Sequence, residues 1–453
     1  MALSAASDGG SEMATDTGPI RAGERLGALD VLRGVAVCGI LLMNIPLMGQ
    51  PAERPEWPPG APVLDAEWIT YSVQHVFLAG SMRGLFTLLF GAGMLIMLRS
   101  LNGDATQPPA QAYFTRCFAL MLLGVAQFAI FLWPGEILFN YGLVGLVLFL
   151  FRRAKPRVLI TAALAITATI SIAMGAPGLK RAEMLHTAEA AAAAQAAKKP
   201  LTKEQTEALE KKKEMDEKLH PPQSVLDKEQ AQRTSFPGVL AWSTGIWVEF
   251  NLGDEAWAFV GESLAFMLLG MALFQMKVLG GERSIGFYLA LAGGGYALGV
   301  LVRGLMYLAQ WRAGFEPTPQ TAALGGFLYE VGRLPTTLGL LGLVLALYKL
   351  RALAPIEAAL KAIGRLALTN YTLESILTSA LFYGFGYYDR FTFGGLMAVA
   401  AGIWVILGVF SLLWLRRWEM GPAEWLLRSL TYGRWQPLGR AQPRAIPAAA
   451  PAE

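Results

Sequence analysis

The chain has 453 residues, of which 54% are hydrophobic and only 16% are charged, and its mean hydropathy is +0.42. A soluble chain normally carries about 25% charged residues. The composition therefore excludes a secreted disulfide scaffold, an ordinary cytosolic enzyme and a nucleic-acid-binding protein. The net charge of +4 says little about partners, because in a membrane protein the topology decides where basic residues lie. With 3 histidines in the whole chain, no histidine-rich metal site is expected.

Long apolar runs predict an all-α fold, namely a polytopic transmembrane helical bundle. A hydrocarbon core of about 30 Å requires roughly 20 mostly apolar residues per helix. On that criterion about ten spans are predicted, at 28–48, 77–98, 114–133, 135–151, 158–176, 256–276, 285–306, 327–348, 366–384 and 392–415. The predicted organisation is a disordered tail, five spans, a long loop, five spans and a C-terminal segment, with bounds 1–24, 25–176, 177–254, 255–415 and 416–453.

The distribution of lysine and arginine predicts the orientation of the bundle. If the N-terminus is cytoplasmic, the even-numbered loops and their flanks should be basic, and they contain Arg99, Arg116, Arg152, Arg153, Lys155, Arg157, Lys277, Arg283, Lys349, Arg351 and Lys361. The opposite short loops hold chiefly Arg54, Arg312 and Arg390. Because basic residues in short loops favour the cytoplasmic side, both termini are predicted to be cytoplasmic.

The loop at 177–254 lies on the outer side under this topology, since long loops translocate largely regardless of charge. Its stretch from Lys180 to Leu219 is rich in Ala, Glu and Lys, which favours helix, and Thr202 with Gln205 predicts a capping box. The loop is either an arm that binds a partner or a solvated helical insert without chemistry. We favour the insert, because no apolar stripe is evident.

Polar side chains inside the apolar spans are the candidate functional residues, because they are costly in hydrocarbon and usually mark a pathway or a site. Asp30 and Arg33 are three residues apart and share one helical face at the cytoplasmic end of the first span. They form either a local ion pair or an anion site, since a planar guanidinium suits a phosphate-bearing ligand. Asn44 lies deeper in the same span.

Two further segments near the predicted outer face carry candidate acid or base groups. His75 precedes the second span, and Arg83 lies further inside it. A lone histidine is more often structural than catalytic, yet its pKa suits a general base near neutral pH. Glu136 and Asn140 are four residues apart, so they are predicted to share a face at the outer end of the fourth span.

The ninth span carries Asn370 and Glu374, again four residues apart and a little deeper than Arg365. Other ionisable residues in the spans are Glu262, Glu330 and Arg333. Each of these side chains also has a structural interpretation, as a hydrogen-bonding or ion-pairing contact between helices. So many carboxylates and amides together favour a cavity lined by polar groups.

Several motifs resemble the YeiB family of bacterial membrane proteins, over nearly the full chain except its two ends and the long loop. They are Leu29-Asp30-Val31-Leu32-Arg33-Gly34, Leu85-Phe86-Thr87-Leu88-Leu89-Phe90-Gly91, Gly135-Glu136-Ile137-Leu138 with Tyr141-Gly142, Gly364-Arg365-Leu366-Ala367-Leu368-Thr369-Asn370-Tyr371 and Gly421-Pro422-Ala423-Glu424-Trp425. The family is similar to membrane acyltransferases of the heparan-glucosaminide N-acetyltransferase type, which have a comparable Asp-x-x-Arg-Gly opening. The resemblance implies a multi-pass protein of the bacterial inner membrane that passes an acyl group from cytoplasmic acyl-CoA to an acceptor.

The resemblance also implies roles for the candidate residues. Arg33, with Arg365, would hold the CoA phosphates, and His75 and Glu136 would be the catalytic acid and base groups. Family members often carry a histidine in the third span, where this chain has Gln127. The full set of substrate-binding candidates is Asp30, Arg33, Asn44, Arg83, Asn140, Tyr141, Arg365, Asn370 and Glu374.

Acyl-CoA is therefore the expected co-substrate and no metal is expected. The expected partners are membrane lipids, the CoA thioester and an unknown acceptor, and nucleic acid is not expected to bind. Whether the chain forms a homo-oligomer is left open. One alternative is a transporter or exporter of a small or lipid-like solute, with the buried charges as a proton relay. That option is less favoured because no inverted repeat is visible. A third is a structural protein whose outer arm recruits partners.

Overall fold

The computed structural model describes residues 22–101 and 109–438, which form helices joined by loops, with no β-strand among these residues. The predicted disordered tail lies outside the described residues except for 22–24, which begin the first helix. The helices are α1 (Ala22–Gly49), α2 (Ala66–Val73), α3 (Ser81–Leu101), α4 (Pro109–Phe131), α5 (Leu138–Leu148), α6 (Pro156–Ala196), α7 (Lys203–Leu219), α8 (Gln223–Gln232), α9 (Phe236–Leu252), α10 (Ala256–Gln275), α11 (Ile285–Arg312), α12 (Pro319–Lys349), α13 (Ala354–Arg365), α14 (Ala367–Ser379), α15 (Phe393–Arg417) and α16 (Pro422–Tyr432). Two π-helical turns follow α2 and α14, at Gln74–Leu78 and Ala380–Gly384.

The prediction of an all-α membrane bundle is confirmed. Within the described ranges, 8 helical segments are long and apolar enough to cross a membrane: Gly27–Gly49, Ala66–Leu98, Ala110–Phe131, Pro156–Ala196, Ala256–Gln275, Ile285–Arg312, Pro319–Lys349 and Phe393–Arg417. The two remaining predicted spans, the fourth and the ninth, are shorter helices in the structure.

The fourth predicted span, 135–151, is replaced by α5, which begins only at Leu138. Pro134 and Gly135 lie in a turn before it, because proline lacks an amide donor and glycine disfavours a regular helix. The ninth, 366–384, contains α14, of 13 residues. At a rise of 1.5 Å per residue, α5 is about 17 Å long and α14 about 20 Å, less than a hydrocarbon core of about 30 Å. Both pack inside the bundle, where several of their residues are buried.

Loops that were predicted to lie on the same side of the membrane are in contact in the structure. On the predicted outer side, the Arg54 guanidinium donates to both carboxylate oxygens of Asp389, at 2.5 and 2.9 Å. On the predicted cytoplasmic side, Lys349 Nζ donates to the Gly281 carbonyl oxygen at 3.2 Å. These contacts agree with the predicted grouping of the loops, and which end faces the cytoplasm stays a prediction.

The long loop is helical in the structure. The fifth predicted span does not end at 176, because α6 continues through Pro177 and runs to Ala196. With 41 residues, α6 is about 62 Å long and extends well beyond a hydrocarbon core. The capping box at the start of α7 is confirmed: Gln205 N donates to Thr202 Oγ1 at 3.2 Å, and Thr202 N donates to Gln205 Oε1 at 3.0 Å.

Candidate functional site

A cluster of basic side chains lies at the predicted cytoplasmic end, where α1 meets α13. Arg33 Nη1 donates to Asp30 Oδ1 at 2.9 Å. Lys361 and Arg365 of α13 are close enough to act electrostatically on Asp30, and Arg116 of α4 is similarly close to Arg33. The structure thus brings together the predicted residues Asp30, Arg33 and Arg365 and adds two cations to them.

Two glycines allow this close contact between α1 and α13. A Cβ atom on Gly34 would lie 2.2 Å from the Leu360 carbonyl oxygen, and one on Gly364 would lie 1.8 Å from the Asp30 carbonyl oxygen. Any larger residue would therefore separate the helices that carry the cluster. Among the described residues, Lys361 is already paired, since its Nζ donates to Glu357 Oε1 at 2.5 Å. The excess of positive charge rests mainly on the arginines.

The start of α14, just beyond Arg365, is held by reciprocal capping with α16. Glu424 Oε1 accepts hydrogen bonds from Leu368 N at 2.7 Å and Thr369 N at 3.1 Å, the free amides of the α14 N-terminus. In return, Thr369 Oγ1 accepts a hydrogen bond from Ala423 N of α16 at 3.1 Å. Burial raises the pKa of Glu424. The motifs at 364–371 and 421–425 therefore form one structural unit that fixes the basic end of the bundle.

The other two candidates of α14 are buried. Asn370 Nδ2 donates to the Ile363 carbonyl at 3.1 Å and to Ser411 Oγ at 2.9 Å, so it joins α13, α14 and α15. Glu374 is only 1% exposed, and its Oε1 has no hydrogen-bond partner among the described residues. These contacts give Asn370 a structural role, whereas no such contact is seen for Glu374 Oε1 among the described residues. Their place in a cavity lined by polar groups stays a prediction.

The interior of the bundle contains an ion network on three helices. Arg83 Nη2 of α3 donates to Glu262 Oε2 of α10 at 2.7 Å, and Arg333 of α12 pairs with both Glu262 and Glu330. These contacts correspond to the ion-pairing interpretation of Glu262, Glu330 and Arg333, and Arg83 joins the same network. Three other candidates lie outside this network. Tyr141 Oη is hydrogen-bonded to Thr87 Oγ1, Asn140 is buried, and Asn44 is half-buried.

His75 lies on the π-helical turn between α2 and α3. Its Nδ1 is 3.3 Å from Tyr71 Oη, and its ring centroid is 5.3 Å from that of Tyr71 and 5.7 Å from that of Tyr307. The Arg303 guanidinium donates to the backbone carbonyls of His75 and Ala79. Single π-helical turns often occur at functional sites. The sequence did not predict this turn, because the apolar run of the second span begins only at residue 77 and His75 lies in the segment before it.

Glu136 does not share a helical face with Asn140, and that prediction is wrong. The residue precedes α5, and its Oε2 accepts hydrogen bonds from Leu138 N at 2.7 Å and Phe139 N at 3.0 Å. Its Oε1 accepts a hydrogen bond from Trp247 Nε1 at 2.9 Å. A carboxylate is favourable at a helix N-terminus because it satisfies free amides and complements the dipole. One oxygen of Glu136 thus caps α5, and the other binds the Trp247 indole.

We expect Glu136→Gln to lower the free energy of unfolding by about 1.5–3 kcal/mol, the range for a hydrogen bond to a charged group. An amide keeps one acceptor oxygen, so either the α5 amides or the Trp247 indole loses its partner. Thermal unfolding of the purified protein measures the change, with the exposed Glu249→Gln on α9 as a control. Equal unfolding temperatures for the two variants would show that the cap is unimportant.

A buried ion pair that the sequence did not reveal attaches the long loop to the bundle. Arg233 Nη2 donates to Glu229 Oε1 at 2.7 Å, and Arg233 Nη1 donates to Tyr383 Oη at 2.7 Å. The guanidinium also lies over the Trp242 ring, 3.1 Å from its centroid. The four-residue spacing of Glu229 and Arg233 was a possible signal, but such pairs are usually exposed. No cluster of three or more metal-ligating side chains occurs in the described parts of the chain.

The fold and these clusters define a class, a multi-pass helical membrane protein with charged residues inside its bundle. Residues 273–434 match the family model described as a protein of unknown function, DUF418. The chain is 28% identical over 447 residues to the uncharacterized protein YxaH of Bacillus subtilis, covering 93% of this chain and 98% of the relative. It is 28% identical over 412 residues to the uncharacterized protein YeiB of Escherichia coli, covering 90% and 96%. These matches support membership of the YeiB/DUF418 family, and no solved structure matches the chain significantly.

Proposed function

We propose that the protein is a membrane acyltransferase that takes an acyl group from cytoplasmic acyl-CoA and passes it to an acceptor at or across the membrane. The observation that supports this function best is the basic cluster of Arg33, Arg116, Lys361 and Arg365, in which four cations face two carboxylates, Asp30 and Glu357. The Arg33 side chain is 30% exposed, so it can reach a ligand. A planar guanidinium binds phosphate oxygens in pairs, as the phosphates of CoA require.

The acyl group would have to travel from this cluster to a base further along the bundle. His75 is the candidate base, and the neighbouring Gln74 donates from Nε2 to the Leu42 carbonyl of α1 at 3.5 Å. Leu42 is nine residues beyond Arg33, which corresponds to about 14 Å along the helix axis. The flexible arm of acyl-CoA would therefore lie alongside α1, between its phosphates and its thioester.

The reaction would be acyl transfer with a single general base. His75 takes the proton of the acceptor hydroxyl or amine as that group attacks the thioester carbonyl carbon. The new C–O or C–N bond forms, the C–S bond breaks, and the CoA thiolate leaves and is protonated. Glu136 is left out of this scheme, because both of its oxygens cap α5 and bind Trp247.

We expect Arg33→Ala to weaken CoA binding by about 1.5–3 kcal/mol, the range for a hydrogen bond to a charged group. Arg33→Lys should restore only part of the affinity, because an ammonium lacks the two-pronged geometry of a guanidinium. Isothermal titration of purified protein with CoA measures both changes.

The matched control is Arg157→Ala, an exposed arginine at the same predicted end of the bundle but outside the cluster. This variant should bind CoA like the unchanged protein. If folded Arg33→Ala and Arg157→Ala bind CoA equally well, the cluster does not hold the CoA phosphates.

A transporter is the second candidate, and the ion network of Arg83, Glu262, Arg333 and Glu330 favours it. Ionisable side chains inside a transmembrane bundle commonly belong to proton relays. Reconstituted vesicles would distinguish the two functions, since a transporter moves protons with its solute and releases no CoA. Proton flux without CoA binding would favour transport over acyl transfer.

A further inference from the structure

The ion network inside the bundle, taken together with Arg303, carries more positive than negative charge. Between α3, α10, α11 and α12 the described residues place three arginines, Arg83, Arg303 and Arg333, close to two carboxylates, Glu262 and Glu330. The Arg83–Glu262 contact is 2.7 Å long, and the Arg333–Glu330 contact is 2.9 Å long. With every arginine charged and both carboxylates ionised, one positive charge is left over.

Arg303 is the arginine without a carboxylate partner. Its Nη1 donates to the Ala79 carbonyl oxygen at 2.7 Å and its Nη2 donates to the His75 carbonyl oxygen, and both acceptors are neutral. Among the described residues it forms no ion pair, and it is close enough to Arg333 for the two guanidinium groups to repel each other. An uncompensated charge inside a membrane protein is costly, so it normally faces a ligand, a water-filled cavity or a counter-ion.

Two glycines make room for the aliphatic parts of the Arg333 and Arg303 side chains. A Cβ atom on Gly80, where φ is +72°, would lie 2.5 Å from Arg333 Cδ. A Cβ atom on Gly332 would lie 2.5 Å from Arg303 Cγ. The Arg83 side chain is 28% exposed, and its guanidinium bonds one carboxylate oxygen, so further N–H donors remain for a ligand.

We propose that Arg83, Arg303 and Arg333 form a second anion site, which binds a singly charged oxyanion at the exposed side of Arg83. One negative charge would neutralise the network, and its oxygens would accept the free N–H groups of Arg83. The oxyanion is either the phosphodiester of an anionic lipid or a small phosphate or carboxylate from solution. The site is separate from the basic cluster of α1 and α13, and it holds whether or not the protein binds acyl-CoA.

The test uses the full chain and separates the two sources of the anion. In nanodiscs of phosphatidylcholine with added phosphatidylglycerol, native mass spectrometry counts the phosphatidylglycerol molecules retained by the protein. In detergent, inorganic phosphate is titrated against chloride at equal ionic strength, and the unfolding temperature is recorded. We expect one probe to bind the unchanged protein, and Arg83→Gln to weaken that binding at least about tenfold, since a charged hydrogen bond is lost.

Two further variants keep the proposal falsifiable if Arg83→Gln does not fold. Arg83→Lys keeps the charge and should retain most of the affinity, whereas Glu262→Gln adds net positive charge and should bind the same probe more tightly. The exposed Arg390→Gln in the outer loop is the control and should leave binding unchanged. The proposal is overturned if neither probe binds, if Arg83→Gln binds like Arg390→Gln, or if Glu262→Gln binds more weakly than the unchanged protein.

Discussion

Arg233→Gln is expected to lower the free energy of unfolding by about 3–5 kcal/mol, the usual cost of removing one partner of a buried ion pair. The Arg233 side chain is 0% exposed and donates to Glu229 and Tyr383, so its removal leaves Glu229 without a cation. Glu229 also accepts the backbone amides of Ala52 at 2.9 Å and Glu53 at 3.3 Å. The variant should therefore weaken the packing of both the loop after α1 and the helices of the long loop against the bundle. Denaturant or thermal unfolding of the purified protein measures the effect.

Arg312→Gln is the matched control for Arg233→Gln, because Arg312 is exposed at the same predicted side. An exposed substitution usually changes stability by less than about 0.5 kcal/mol. Replacing Arg233 and Glu229 together by apolar residues should recover part of the loss, since no unpaired charge stays buried. If Arg233→Gln is as stable as Arg312→Gln, the ion pair does not fix the helices of the long loop to the bundle.

His75→Gln is expected to lower acyl transfer by roughly 10²–10⁴, the usual loss when a positioned base is removed. Glutamine keeps a hydrogen-bonding group toward Tyr71, so the turn between α2 and α3 should stay folded. The release of free CoA from acetyl-CoA, by protein in nanodiscs that contain native lipid extract, measures the rate. Binding of CoA should not change, because the basic cluster lies about 14 Å away along α1.

The control for His75→Gln is His186→Gln, whose side chain is 72% exposed on α6. It should release CoA at the unchanged rate. If His75→Gln is as active as His186→Gln and differs only in unfolding temperature, His75 is a structural residue of the aromatic cluster around Tyr71 and Tyr307.

Composition and apolar runs were sufficient to predict the membrane bundle, because burial in hydrocarbon requires long apolar helices. They failed at α5 and α14, which are shorter than the predicted spans 135–151 and 366–384, because an apolar run does not show that the α-helix begins only at Leu138 or ends at Ser379. Capping was predictable only where one local motif sufficed, as at Thr202. The cap of α14 by Glu424 joins residues 56 positions apart, so no local pattern indicates it.

The candidate site, too, was predictable only where its residues lie close together in the sequence. Spacing placed Asp30 and Arg33 on one face, but the cations Arg116 and Lys361 join them only through the packing of α4 and α13. The four-residue spacing of Glu136 and Asn140 was misleading, because it assumes a helix that starts before Leu138. Periodicity identifies which residues share an element, whereas contacts between distant elements depend on tertiary packing.

Binding of labelled CoA to membrane vesicles of known orientation tests most directly whether the basic cluster is a cytoplasmic CoA site. Inside-out vesicles expose the predicted cytoplasmic end of the bundle, and right-side-out vesicles expose the long helical loop. We expect saturable binding to inside-out vesicles, its loss in Arg33→Ala, and no binding to right-side-out vesicles. Saturable binding from the right-side-out face alone, or no binding in either orientation, would contradict the cytoplasmic CoA site.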